Sequence, residues 1–422
     1  MNKILILGGG VAGSSLCHYL SEKNFDITIV EKLKKPGGLA RTYKYGGHPY
    51  EFGPHIWFWP GGLDSKINKT IHDLTNGELF YIDRKLLSYI EKDNQTYKYP
   101  IHFDDIKKMP EKELIYRELE KNRDTQNKLN EDGLPIIGNC TFEEYFQEAI
   151  GNSLYSKFMK NYTWKMWNIP GNELQTSMVW ADRFNHSYTN KEQGGLKGYD
   201  PIKFEEHTLG KGIQFQVYPK NGWSDVWDKM TACANFINSG VKKIVDSNKP
   251  YIELDNNEKI YFSDYKYVIN TIDLDELWGE NKLPYTGRLM IPLLLPELNS
   301  ALPNGTESIH YSSAEFVTRI TEMKTITQHI SDDTLILIEI PILSNANESF
   351  PINTINFAKE NNLFAEKAYP QQSKEAINMH QMYIKKGQHI NNLLHCGRHA
   401  QFRYWGMPET VNSAYEMSKL LD

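Results

Sequence analysis

The sequence predicts an α/β fold in three parts: a parallel-sheet nucleotide-binding domain, an inserted helical domain and a mostly antiparallel sheet domain. Three observations lead there. Residues 4–13, ILILGGGVAG, run a short buried strand into a turn that holds G-x-G-x-x-G as Gly8, Gly10 and Gly13. A second strand, DITIV, ends on Glu31 after an intervening helix, which is the βαβ order of a Rossmann-type unit. Between residues 141 and 167, apolar residues recur at helical spacing behind Thr141 and Glu144, the two ends of a capping box.

The first unit carries its own chemistry. Glycines permit a tight turn, close approach of backbone to a pyrophosphate, and helix packing on the strand. The helix that follows, with Leu16, Tyr19 and Leu20 on one side, offers free N–H groups and a positive dipole end to phosphate. Glu31 can accept from a ribose. The competing reading, a glycine turn that only packs, does not explain the acid at the end of the second strand.

Composition excludes several classes. With 422 residues, 24% charged and a net charge of -6, the chain reads as an ordinary globular protein long enough for two or three domains. Basic residues are scattered among acids, as in EKELIYRELEKNR, so no nucleic-acid partner is expected. The longest later apolar run, LMIPLLLPEL, is short and broken by prolines, so no membrane span is expected. The N-terminal segment fits a buried strand better than a signal peptide. Cys17, Cys140, Cys233 and Cys396 form no metal-ligand spacing; they read as buried reduced thiols of a cytoplasmic protein, with no metal.

After Glu31 the chain reads EKLKKPGGLART, with Gly37 and Gly38 followed by Arg41. This resembles the FAD-binding signature of amine-oxidase-like and glutathione-reductase-like flavoproteins. The run YEFGPHIWFW looks like the GAHIFH segment of UDP-galactopyranose mutases, NYTWKMW like their GYT-x-K-x-WG core, and GRHAQFRYWGM like their closing FAD motif GR-x-x-x-Y-x-Y-x-DM. Along most of the chain the sequence is similar to that family. LPYTGRLMIPLLL and EFVTRITEMKTI look like strands of its substrate sheet, the second matching a YTRI pattern with Val317 in place of tyrosine before Arg319.

The resemblance implies a Rossmann-type FAD-binding domain at 1–80, 210–280 and 385–422, a helical insertion at 100–200 and an antiparallel substrate sheet at 281–384. It implies FAD held by Gly8, Gly10, Gly13, Glu31, Gly38, Arg41, Gly397, Arg398 and Met407, with the helix after Met407 presenting its N-terminus to the flavin. It implies His55 beside flavin N5, Tyr162 and Trp167 on the nucleotide, and Arg183, Arg288 and Tyr404 on the diphosphate. Lone histidines and helical aromatics are more often structural; their places in these motifs reverse that prior. Two departures fall on the substrate side. Gly406 stands where the family has an acid, and the expected arginine position is Ala181, leaving Arg183 nearby.

The family's activity, carried over as an expectation, is pyranose–furanose exchange in a nucleoside-diphosphate sugar for cell-surface glycan biosynthesis. Reduced FAD attacks the anomeric carbon through N5 and displaces the diphosphate; the ring opens, recloses and recaptures it, with no net redox. Expected partners are the sugar nucleotide and a reductant such as NAD(P)H, with homo-oligomerisation left open. The alternatives are an FAD-dependent oxidase or desaturase of the amine-oxidase type, and a non-catalytic binder like the Rab GDP-dissociation inhibitors. The intact glycine and GR motifs speak against the binder.

Overall fold

The computed structural model describes residues 2–58, 65–99, 101, 103–126, 141–174, 216–280, 282–313, 316–343 and 352–421. Its first unit is a five-stranded parallel sheet ordered Asn235–Asn238, Asp26–Glu31, Lys3–Leu7, Tyr267–Asn270, Leu393–His395. Strands from three distant stretches of chain build one sheet. Lys3–Leu7 sits centrally because it is apolar on both faces: Ile4, Leu5, Ile6 and Leu7 are all buried, as a doubly covered parallel strand requires. The helix Val11–Ser21 packs Leu16, Tyr19 and Leu20 inward and lies against the C-terminal helix Met407–Leu420.

Two glycines here answer to geometry. A Cβ on Gly13 would stand 1.9 Å from the Gly8 carbonyl oxygen, so helix and turn touch only because that atom is missing. Gly397, at φ +88°, brings the C-terminal segment against Ala12, whose Cβ would be 2.4 Å from an added one.

The second sheet is seven-stranded, ordered Phe364–Pro370, Tyr285–Leu295, Thr334–Leu343, Arg319–Glu322, Ser308–Tyr311, Leu86–Ile90, Gln95–Lys98. Every neighbouring pair is antiparallel except Ser308–Tyr311 with Leu86–Ile90. Residues 86–98, between the first two ranges assigned from sequence, complete this sheet. Short strands with one buried face carry too weak an alternation to announce themselves.

The helical layer starts as the sequence predicts. Thr141 Oγ1 accepts from the Glu144 N–H at 3.3 Å, and Glu144 Oε2 accepts from the Thr141 N–H at 2.8 Å. Gly151, at φ +83°, kinks the run Phe142–Leu154, and helical structure continues to Trp167 through a wider turn at Tyr155–Lys160. Phe142, Phe146, Leu154, Tyr155 and Phe158 fill this layer's core. Cys17 and Cys396 are buried as expected; Cys233 is exposed, with its sulfur 3.6 Å from that of Cys17. Among the described residues no helix is long and apolar enough to cross a membrane, and no cluster could hold a metal.

Candidate active site

All five parallel strands deliver residues to one cleft of about 1150 Å³. Just past their C-terminal ends, Gly8, Glu31, Ser239, Thr271 and Arg398 line it, the place where open α/β sheets bind ligands. The cleft then runs between the two sheets and reaches the helical layer at Met159, Tyr162 and Trp167.

Its nucleotide end suits a dinucleotide. Gly10 is the N-cap of Val11–Ser21, with no side chain capping the first turn, and a Cβ there would meet nothing within 4 Å. Free N–H groups thus face open space shaped for phosphate. Glu31 accepts from the N–H groups of Gly9 at 2.6 Å and Leu33 at 2.8 Å. These contacts fix the carboxylate and leave lone pairs for a ribose. Gly38, Arg398 and Met407 also line the cleft.

Gly13, Gly397 and Arg41 do not. The two glycines act through packing. The Arg41 guanidinium is bound to Asp228 at 2.9 Å and to the Pro36 carbonyl at 2.8 Å. It anchors the Gly37–Gly38 turn from outside, because a carboxylate stands within its reach on the helix Gly222–Met230.

The far end is lined by cations and aromatic rings. Arg319 on its strand faces Glu339 on the next, directly in register, and the two form a buried ion pair. Arg288 lies two residues from Met290, the partner of Glu339 on the other side, so its side chain emerges on the same face. Its Nε donates to Glu339 at 3.0 Å, and its guanidinium stacks 4.3 Å from the Tyr369 ring. Arg288 is 1% exposed and does not line the cleft; Arg319 and Glu339 do. Burial works against the charge on Glu339, but Arg319 and Arg288 outweigh it and hold its pKa below the usual range.

Arg398 stacks on Tyr369 at 4.4 Å and approaches Tyr404 at 5.6 Å. Trp167 meets Tyr404 edge-on at 4.8 Å. Tyr162 and Trp167 both line the cleft but in different company. The Tyr162 hydroxyl is 3.2 Å from His310 Nδ1, and His310 stacks on Tyr99 at 4.6 Å. Arg84, bound to Glu307 with its Nε at 2.6 Å, lines the same end. Arg183 lies outside the described residues.

His55 stands where the two ends meet. Burial first, then Arg398 and Arg319, lower its pKa to about 4, so the imidazole is neutral at neutral pH. Its Nδ1 is buried without a hydrogen-bond partner among the described residues, as is Arg319 Nε. Two polar atoms left open beside one cavity fit a ligand that would complete them.

Sequence reasoning passed over Arg84, Tyr99, His310, Glu339 and Tyr369, and gave Arg319 no role although VTRI was in view. That motif is the one signal that could have found it.

Comparisons with known proteins fit this geometry. A family model described as UDP-galactopyranose mutase matches residues 201–404, and one described as NAD(P)-binding Rossmann-like domain matches residues 6–74. The dTDP-fucopyranose mutase of Escherichia coli is 22% identical over 435 residues, 100% of this chain and 98% of that protein. The probable UDP-galactopyranose mutase of Klebsiella pneumoniae is 27% identical over 209 residues, 46% of this chain and 50% of that protein. The solved structure of reduced UDP-galactopyranose mutase superposes with a TM-score of 0.73 at 17% identity, covering 99% of this chain and 93% of that one. A putative protoporphyrinogen oxidase from Exiguobacterium sp. 255-15 superposes with a TM-score of 0.71 at 15% identity, covering 100% of this chain and 98% of that one. The two curated relatives named are a mutase and a probable mutase of nucleotide sugars, hence isomerases, while the likeness to the two solved structures is one of fold. The chain is thus similar to UDP-galactopyranose mutases: that family's model matches residues 201–404, just under half of the chain, behind a segment that matches a Rossmann-like nucleotide-binding unit.

Proposed function

We propose that the chain is an FAD-dependent mutase that interconverts the pyranose and furanose forms of a nucleoside-diphosphate sugar, with the flavin reduced and no net redox. The observation that carries this reading is the single cleft that joins the dinucleotide cradle at Gly10 to the cationic, aromatic wall around Arg319, Arg398 and Tyr404. An oxidase of a small amine needs no such cationic wall; a leaving diphosphate does.

When bound and reduced, the flavin supplies a nucleophile for covalent catalysis at the anomeric carbon. The protein's share is placement and charge. Gly10, Glu31, Gly38 and Met407 hold FAD along the strand ends. Arg319, Arg398 and the Tyr404 hydroxyl hold the departing diphosphate close to the sugar, so that recapture outruns hydrolysis. His55, neutral, would offer its unpartnered Nδ1 to the ligands of the cleft. Trp167, edge-on to Tyr404, and Tyr162 would both face the nucleotide. Arg288 acts through Glu339, and Arg41 through the glycine turn it anchors. Arg183 remains our candidate for a further diphosphate contact. Likeness along the whole chain to a dTDP-fucopyranose mutase favours a dTDP-linked 6-deoxyhexose over a UDP-hexose. A cytoplasmic site of action, glycan supply and reduction by NAD(P)H go with this reading.

The test is conversion under anaerobic conditions. Reduced, FAD-loaded protein is given dTDP- and UDP-pyranoses and the products are resolved by NMR. A furanose formed only by reduced protein supports the proposal. Oxygen uptake with an amine or alcohol, and no furanose from any donor, would shift it to an oxidase.

A further inference from the structure

The carboxylate of Glu51 lies beneath the cleft, not on its wall, and is fully buried. It accepts from the Thr42 hydroxyl at 2.8 Å and from the Tyr218 phenol. Its Oε2 has no hydrogen-bond partner among the described residues. Thr42 Oγ1 accepts the Trp223 backbone N–H at 2.8 Å, and the indole N–H of Trp223 donates to the His55 carbonyl at 2.6 Å. The His55 backbone N–H acts on the same Glu51 carboxylate, and the Gly53 N–H donates to the Glu51 carbonyl at 2.8 Å. A closed circuit therefore runs from Glu51 through Thr42 and Trp223 to His55.

The upper side of the loop is held too. Gly53, at φ +91°, packs so closely on Arg319 that a Cβ would stand 2.8 Å from its guanidinium nitrogen. The segment 51–55 is thus held between the Arg319–Glu339 pair above and the Glu51 circuit below, with the His55 imidazole facing the cleft.

We propose that Glu51 is a positioning residue: its buried carboxylate fixes the loop that sets His55 at the junction of cofactor and substrate. The flavin part of this assignment rests on the function proposed above; the clamp itself does not. Burial raises the Glu51 pKa to about 7 against the pull of Tyr218, Thr42 and the His55 N–H. The titratable group facing it is the Tyr218 phenol, held well above its ordinary value by burial and then by Glu51; no charged side chain contributes to the Glu51 shift. As an anion, Glu51 accepts from the Thr42 and Tyr218 hydroxyls through Oε1 and keeps Oε2 buried without a partner among the described residues. Opening the loop solvates the carboxylate and returns it towards its ordinary 4.5, so opening releases a proton and the loop loosens as pH rises from there to about 7.

Hydrogen exchange read by mass spectrometry tests the clamp on the purified protein, comparing wild type, Glu51→Gln and Thr42→Val. We expect peptides covering 52–57 to exchange about tenfold faster in both variants, with peptides covering 3–7 unchanged. Corrected for intrinsic rates, wild-type exchange of this loop should quicken as pH rises from about 4.5 to about 7, and Glu51→Gln should lose that dependence. The bound-flavin spectrum should show the same pH step in wild type, lose it in Glu51→Gln and regain part of it in Glu51→Asp. Equal loop exchange in wild type and Glu51→Gln, or in wild type and Thr42→Val where the first variant does not fold, would overturn the clamp. A wild-type protein that binds no flavin would instead count against the proposed function, while the exchange comparison still decides the assignment.

Discussion

Arg319 and Glu339 face each other directly across adjacent strands, and Arg288 closes on the same carboxylate from behind at 3.0 Å. One carboxylate thus divides two arginines into different roles. Arg319 lines the cleft and Arg288 is sealed in the core. Arg319→Ala should lower kcat by about a hundredfold or more, the usual scale for removing a donor that meets developing charge, with flavin content near normal. Arg288→Ala should act through Glu339, left with one fewer counter-charge in the interior. Its first effect is a loss of about 3–5 kcal/mol of stability, read as a lower denaturant midpoint. A stable, slow Arg288→Ala and a fully active Arg319→Ala would reverse the assignment.

The glycines of the first turn should separate binding from folding. Gly10→Val places a side chain into open space in front of the helix N-terminus. It should leave the protein folded and nearly free of flavin, seen as loss of the yellow colour with an unchanged circular dichroism spectrum. Gly13→Ala drives a Cβ to 1.9 Å from a backbone oxygen and should cost the fold itself. Full flavin retention by Gly10→Val would remove the cofactor from that turn.

Glu51 makes stability depend on pH in an unusual direction. Its folded pKa, about 7, lies above the value of 4.5 for the free group. The native state therefore holds the proton that the unfolded state has released, and stability falls as pH rises between those values. Glu51→Gln keeps the shape and removes the titration. Relative to wild type it should gain about 3 kcal/mol on going from pH 4.5 to pH 8, measured by urea unfolding at both. A constant difference across that range would mean that Glu51 is ionised throughout.

His55 works in the opposite sense. Its folded pKa of about 4 is below the ordinary 6.5, so the unfolded chain takes up a proton first and stability is lost as pH falls from 6.5 towards 4. His55→Gln should flatten that acid limb. In the intact protein the imidazole resonances of His55 should show no titration near 6.5; a midpoint there would contradict the neutral imidazole.

Much of the cofactor half could be read from the sequence because its signals are local. Gly8, Gly10 and Glu31 lie within one βαβ unit, where turn, helix start and strand end follow from neighbours in the chain. Thr141 and Glu144, three residues apart, announced their helix for the same reason. The substrate half depends on register. Nothing near Arg319 says that Glu339 will stand opposite, or that Arg288 will reach that carboxylate from two residues along another strand. Arg288 looked like a site residue because it is an arginine in a matching strand; sheet register turned its side chain into the core. Arg41 likewise sat beside the right glycines but met Asp228, which arrives from a helix far along the chain. His310 and Tyr99 stack only because two strands separated by more than two hundred residues pair in one sheet.

The most direct test of the proposed chemistry is the mass of the flavin after turnover is interrupted. Flavin-loaded protein would be reduced without oxygen, mixed in turn with dTDP- and UDP-sugars, treated with cyanoborohydride, unfolded, and the released flavin weighed. The proposed chemistry leaves flavin heavier by one sugar, seen only with reduced protein and most abundant with a dTDP-linked donor. Unmodified flavin with every donor, from protein shown to bind those nucleotides, would contradict it.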